Sequence, residues 1–305
     1  MTPSLRRYRR PEPILFVLLA ACTGGSSSKV ADSGDKEASD SCPSSFEDAG
    51  SNLQGYLGLN QSGEWTQVEA FFYDTTSWSI EEEELDPLDG MEDCGLWADA
   101  IGVGTIELIS AGDITIQLPD EAFTMSWGST GTTPDSAGPD TADTSGQDGY
   151  PTDTTLEERS LQMPWGETLG IEATGSDFPS FELDPAACVP RSSLEVTTPT
   201  FGNYPDYPTT TADGLTVTWS GAAEMDTIEL ELTAYGDRYY RALCRATDDG
   251  TFEIPADILA QFPTPGTFTL EVRRVQQALH EISQDAALVV RTQSRDRGKV
   301  DLVED

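Results

Sequence analysis

The chain has 305 residues, of which 54 are acidic and 17 basic, for a formal net charge of −37. That balance excludes nucleic acid and anionic lipid surfaces as partners, because neutralising phosphate takes the Lys and Arg that are scarce here. One histidine and five cysteines leave little for histidine-based catalysis or a zinc centre, and the length suffices for two modest domains.

Arg6, Arg7, Arg9 and Arg10 precede an apolar run over residues 14–21. Charge followed by a short apolar segment is the pattern of a secretory signal, and the run is well short of the roughly 20 residues a spanning helix needs. Leu19-Ala20-Ala21-Cys22 resembles the lipobox of bacterial lipoproteins. The resemblance implies removal of a signal peptide over 1–21, a diacylglyceryl group on Cys22 and an acylated amino terminus. Two or more acyl chains then anchor the protein stably, each buried methylene contributing about 0.8 kcal/mol. It also implies a cell-envelope location, and Thr23 in place of aspartate after the lipidated cysteine favours the outer membrane. Residues 22–45 read as the lipidated Cys22 and a flexible linker, polar and small throughout. With Cys22 assigned to lipid, Cys42, Cys94, Cys188 and Cys244 remain, an even number that in an exported chain reads as two disulfides. Three connectivities are open, and sequence order favours Cys42 with Cys94 and Cys188 with Cys244.

Residues 46–193 are expected to form a first β-sandwich. Strand-sized apolar runs lie at 53–59, 65–73, 102–109 and 113–118, and in the last Ile114, Ile116 and Leu118 alternate with Thr115 and Gln117. The acids at 81–84, with Asp86, Asp89, Glu92 and Asp93, read as a solvated hairpin or loop tip. Calcium takes six to eight oxygens, so Asp86, Asp89, Glu92 and Asp93, and the turn at Asp248 and Asp249, are weak candidates for a site. None follows the D-x-[DN]-x-[DN]-G spacing. Residues 128–158 are acidic, without Lys or Arg, and are read as a disordered insertion because they have little to bury. The strand pattern resumes at Leu161, 168–173 and 181–183.

A second sandwich, of immunoglobulin or fibronectin type, is expected over 194–293. Leu215, Val217 and Trp219 alternate with threonines; Ile228, Leu230 and Leu232 alternate with Glu229 and Glu231; Phe268, Leu270 and Val272 alternate with Thr269 and Glu271. Asp248-Asp249-Gly250 signals a hairpin turn, and 255–262 a short helix opened by proline. The immunoglobulin Cys, Trp, Cys spacing is missing, since the cysteine before Trp219 is Cys188, outside this domain. Residues 294–305 read as a charged tail. The fold class is therefore all-β, two antiparallel sandwiches behind a signal peptide and tether.

Gly166-Glu167-Thr168-Leu169 through Gly175-Ser176-Asp177-Phe178-Pro179-Ser180-Phe181, then Leu215-Thr216-Val217-Thr218-Trp219-Ser220-Gly221 and the stretch 244–255, resemble uncharacterised secreted lipoproteins of environmental bacteria. The resemblance implies two β-rich modules behind a lipobox and carries no activity. His280 lacks a G-x-S-x-G elbow and is read as a surface or edge residue. Paired carboxylates for glycoside hydrolysis discriminate nothing in so acidic a chain. Most of Trp65, Trp78, Trp97, Trp127, Trp165 and Trp219 are expected in the cores, with Trp78 beside the acidic run the one to watch. The expectation is a non-enzymatic, lipid-anchored envelope protein with no cofactor, whose partners are the membrane through Cys22 and an envelope protein or glycan. The alternative is a carbohydrate-binding or calcium-dependent adhesion module, or, less favoured, a glycan hydrolase; a row of exposed aromatics on a sheet face would favour carbohydrate.

Overall fold

Alternation of apolar and polar side chains buries one face of a strand, and this period runs through most of the chain. A computed structural model describes residues 51–62, 65–74, 92–97, 108–129, 148–149, 163–223, 226–236 and 239–304. Strands β1 (Leu53–Ser62), β2 (Trp65–Asp74) and β3 (Asp93–Trp97) come first, then β4 (Ile114–Gln117) and β5 (Ala122–Met125). Of the expected acidic insertion, only the paired strands β6 (Gly128–Ser129) and β7 (Asp148–Gly149) fall among the described residues. β8 (Thr168–Ala173), β9 (Phe181–Cys188), β10 (Val196–Thr198), β11 (Thr209–Thr210) and β12 (Leu215–Trp219) follow. Next are β13 (Thr227–Tyr235), β14 (Tyr239–Thr247) and β15 (Thr251–Ile254). Helix α1 (Ala256–Leu259) starts after Pro255, as expected, and precedes two long strands, β16 (Gly266–Ser283) and β17 (Ala286–Leu302). The fold is all-β.

The large sheet has the order β2-β1-β17-β16-β13-β14-β3, with β11 against the end of β17. β1 and β11 pair with β17 in parallel, which the expected antiparallel pattern does not include. The physical reason is connection length: a tight turn joins β16 to β17 and forces them antiparallel, whereas β1 and β11 reach β17 from far away in sequence.

One face of this sheet carries two cores. In the first, Leu57, Leu59 and Phe72 of β1 and β2, with Leu288 and Val290 of β17, pack on Ile114, Ile116, Leu169 and Ile171 of the small sheet β5-β4-β8-β9. In the second, Leu230, Leu232, Leu270, Val272 and Val300 pack on Val217, Trp219 and Ile254 of the sheet β10-β12-β15 and on Leu259 of α1. Each fully buried Leu or Ile contributes about 1.5–3 kcal/mol. The boundary expected near residue 194 does not separate the strands. β1, β2 and β3 lie in the same sheet as β13, β14, β16 and β17, and the two long strands supply side chains to both cores.

The tail expected over 294–305 is instead strand as far as Leu302. Its polarity has a structural cause. The segment between β9 and β10 crosses from one core to the other over the middle of β17, where its backbone groups need partners. Thr292 Oγ1 donates to the Cys188 carbonyl at 2.5 Å, Ser294 Oγ accepts the Leu194 N–H at 2.9 Å, and Asp296 Oδ2 accepts the Val196 N–H at 2.9 Å. A buried group left without such a partner costs about 1–3 kcal/mol. The turn at Asp248-Asp249-Gly250 also differs from expectation. It joins β14 of the large sheet to β15, which pairs with β12, so it is a crossing between sheets and not a hairpin. Gly250, at φ +97°, supplies the left-handed backbone conformation there.

Candidate functional site

The sequence-predicted site residues do not converge. Cys22, Cys42, Trp78, Asp86 and Asp89 lie outside the described residues, as does most of the run at 102–109. Asp93 opens β3 and Glu92 precedes it, and their carboxylates serve backbone. A Glu92 oxygen accepts the Thr247 N–H at 2.7 Å, and Asp93 Oδ1 accepts the Cys94 N–H at 2.8 Å. Asp249 Oδ1 accepts the Thr251 N–H at 3.1 Å, while Asp248 is buried. Among the described residues no group of three or more His, Cys, Asp or Glu is placed to hold a metal ion. His280 is half-buried on β16, with its ring Nε2 2.5 Å from the Ala186 carbonyl. Trp219 is buried, and Trp127 and Trp165 pack against the first core.

The cysteine pairing is not the one sequence order favoured. Cys94 of β3 is bonded to Cys244 of β14, directly opposite it in the register, across a sequence separation of 150. This rules out both the Cys42–Cys94 and the Cys188–Cys244 pairings. Cys188 is itself disulfide-bonded, to a partner outside the described residues. Proximity in sequence misled because β3 is brought to the edge of a sheet built mainly from later strands.

Two charged constellations emerge that sequence reasoning missed. The first lies between the cores. Phe268, Leu270 and Val272 point inward, and the same alternation places Arg274 inward too, fully buried. Its Nε and Nη2 donate to the two oxygens of Asp248, at 2.6 and 3.2 Å. The remaining donors reach the carbonyls of Ser192, Ser193 and Ser220 at 2.9–3.1 Å, and Ser192 Oγ at 2.9 Å. Asp248 also accepts the Trp219 indole N–H at 2.6 Å and the Ala223 N–H at 3.0 Å. A planar guanidinium with a fixed fork of donors suits this task, which a lysine could not perform.

The second covers the opposite face of the large sheet. Arg241, Arg245, Arg273, Arg291 and Arg295 alternate across β14, β16 and β17 with Glu229 and Glu231 of β13 and Glu271 of β16. Glu229 meets Arg291 at 2.5 Å and Arg245 at 3.3 Å; Glu231 meets Arg241 at 2.8 Å and also Arg273; Glu271 meets Arg273 at 2.8 Å and Arg295 at 3.5 Å. The signal in the sequence was the clustering of a scarce residue type. Burial pushes the Glu229 carboxyl upward, but Arg291, Arg273 and Arg245 outweigh it and hold its pKa at about 2. Glu271 is lowered in the same way, burial opposing and Arg273 and Arg295 prevailing. Burial raises the Tyr56 phenol to about 12 against the pull of Arg291. Glu229 therefore stays ionised and Tyr56 stays protonated across the physiological range, and the face offers fixed charge and hydrogen bonding. No family model matches the chain, and no curated protein is similar to it.

Proposed function

We propose that the chain is a non-enzymatic, lipid-anchored protein of the cell envelope, held to the outer membrane by acyl chains on Cys22, with its β-sheet assembly serving as a structural or binding element. The observation that carries this reading is the Cys94–Cys244 disulfide, together with the bonded state of Cys188. Disulfides persist in oxidising compartments, which agrees with the secretory signal and the lipobox-like Leu19-Ala20-Ala21-Cys22. The non-enzymatic part draws support from the charged groups themselves. The arginines and glutamates of the large sheet are bonded to one another, and Asp248 to Arg274, so they act as framework.

The test is fractionation of cells expressing the full chain. Wild-type protein is expected in the membrane fraction after a high-salt wash and in the detergent phase on extraction; Cys22→Ala protein is expected in the soluble fraction. Retention of Cys22→Ala protein on membranes at high salt would overturn the anchor. Density separation of inner and outer membranes then tests the outer-membrane assignment.

A further inference from the structure

Among the described residues, three large apolar side chains stand exposed: Tyr204 and Tyr235, each 82 % exposed, and Val303. All three lie at the same end of the large sheet. Tyr235 is the last residue of β13, opposite Tyr239 of β14. Val303 follows β17, and Tyr204 lies in the loop that leads into β11 on the edge of β17. Each tyrosine is braced by a second one. The Tyr235 and Tyr239 rings are 5.1 Å apart, and the Tyr204 and Tyr207 rings 6.1 Å apart, with Lys299 Nζ 5.7 Å from the centre of Tyr207.

The space between the pairs is polar and rigid. Thr233, Thr269 and Lys299 are in register across β13, β16 and β17, and at about 4.8 Å per strand this row spans roughly 10 Å. Beside it, Thr267 Oγ1 donates to Asp301 at 2.6 Å. The surface thus alternates aromatic faces with hydroxyl, carboxylate and ammonium groups, all mounted on strands except for Tyr204 and Tyr207.

We infer that this strip is a binding platform for a neutral oligosaccharide, stacked on Tyr204 and Tyr235 and hydrogen-bonded by the threonines, Lys299 and Asp301 between them. A pyranose has an apolar C–H face and a rim of hydroxyls, which matches aromatic rings interleaved with small polar groups. Size argues against a protein partner or a second copy. Full burial of the two exposed tyrosines would remove roughly 400 Å², about half of the ~800 Å² that a stable interface needs from each side. Charge argues against a polyanionic glycan, since a chain of net charge −37 repels it. This goes beyond the anchoring reading and stands without it, because titration in solution does not depend on how Cys22 is modified.

The experiment is calorimetric titration of the purified full chain with neutral hexasaccharides of β-1,4-glucose, α-1,4-glucose and β-1,4-N-acetylglucosamine, and with hexagalacturonate as the anionic comparison. Saturable binding of at least one neutral hexamer is expected. Tyr204→Ala/Tyr235→Ala should weaken it at least tenfold with an unchanged melting temperature, since both side chains are exposed. Tyr204→Glu, in a loop where folding is least at risk, should weaken it at least fivefold, and Tyr204→Trp/Tyr235→Trp should retain or tighten it. Absence of binding by all three neutral hexamers, affinity within twofold of wild type in the alanine pair and in Tyr204→Glu, or equally tight binding of hexagalacturonate each overturns the proposal.

Discussion

Arg274→Met would leave the Asp248 carboxylate buried with only the Trp219 and Ala223 N–H groups to face it. It would also withdraw the guanidinium from the carbonyls of Ser192, Ser193 and Ser220. Removing one member of a buried ion pair destabilises by about 3–5 kcal/mol, because the remaining charge is uncompensated. Against a total stability of about 5–15 kcal/mol that loss is large, and at about 2–4 °C per kcal/mol it lowers the melting temperature by roughly 6–20 °C. Asp248→Leu should cost less, because Arg274 keeps the buried Asp226 carboxylate 3.9 Å from its Nε. The double variant Arg274→Met/Asp248→Leu removes both members of this pair, so its cost should fall short of the sum by about 0.5–3 kcal/mol, the coupling expected of groups in contact. Urea titration followed by tryptophan fluorescence and circular dichroism measures all three. Trp219 reports directly, because its indole N–H bonds to Asp248. Single variants within about 1 kcal/mol of wild type, or a double variant additive to within about 0.5 kcal/mol, would refute the reasoning.

Gly298 lies against Phe201 so closely that an added Cβ would sit 2.2 Å from the ring; Gly298→Val should therefore cost at least about 1–3 kcal/mol, read as a lower urea midpoint, and an unchanged midpoint would contradict the packing. Cys94→Ser/Cys244→Ser opens a loop of sequence separation 150, so a loss of about 2–5 kcal/mol is expected, with hydrogen exchange rising first in residues 93–97; equal protection in both proteins would count against this. Glu229 has its pKa held at about 2 in the folded protein against 4.5 for a free side chain, so its contribution of about 3 kcal/mol is complete above pH 4.5 and is lost as pH falls toward 2. Glu229→Gln should flatten the acid limb of an unfolding curve over that window, and an unaltered limb would remove Glu229 as its source. Glu69 is shifted the opposite way, raised by burial against Arg295 and Asn60, so its ionisation detracts from stability as pH rises; Glu69→Gln should raise the neutral-pH melting temperature, and a fall would reverse the sign assigned here.

Strands with one apolar face were legible wherever the alternation was clean. The runs expected at 168–173 and 215–219 are β8 and β12 residue for residue, and Ile228-Leu230-Leu232 and Phe268-Leu270-Val272 lie in the core as their period required. What failed was the continuation of β16 and the whole of β17. Between Val272 and Ala278, β16 is polar at every position except Val275, because Arg273 joins the arginine–glutamate network and Arg274 meets the crossing segment. Local hydropathy then has no apolar stripe to report. Pairing of β1 with β17 and of β3 with β14 joins residues more than a hundred positions apart, and nothing in either strand alone names its neighbour. The tyrosine strip escaped for a related reason. Tyr204 and Tyr235 sit near turn residues, where a tyrosine in sequence looks no different from a buried one, and only the shared end of the sheet brings them together.

The same long strands explain why two cores do not amount to two independent domains. A domain boundary falls where few contacts cross, yet β16 and β17 carry Ala278, Leu288 and Val290 in the first core and Leu270, Val272 and Val300 in the second. Between these apolar stretches the strands hold Arg274, Thr292, Ser294 and Asp296, each bonded to the segment that crosses from β9 to β10 or to the sheet beyond it. Unfolding one core would strip backbone partners from this seam and leave the Arg274 and Asp248 charges facing a broken site. The polar middle of the sheet, part of which in sequence looked like a tail, is thus what couples the stability of the two halves.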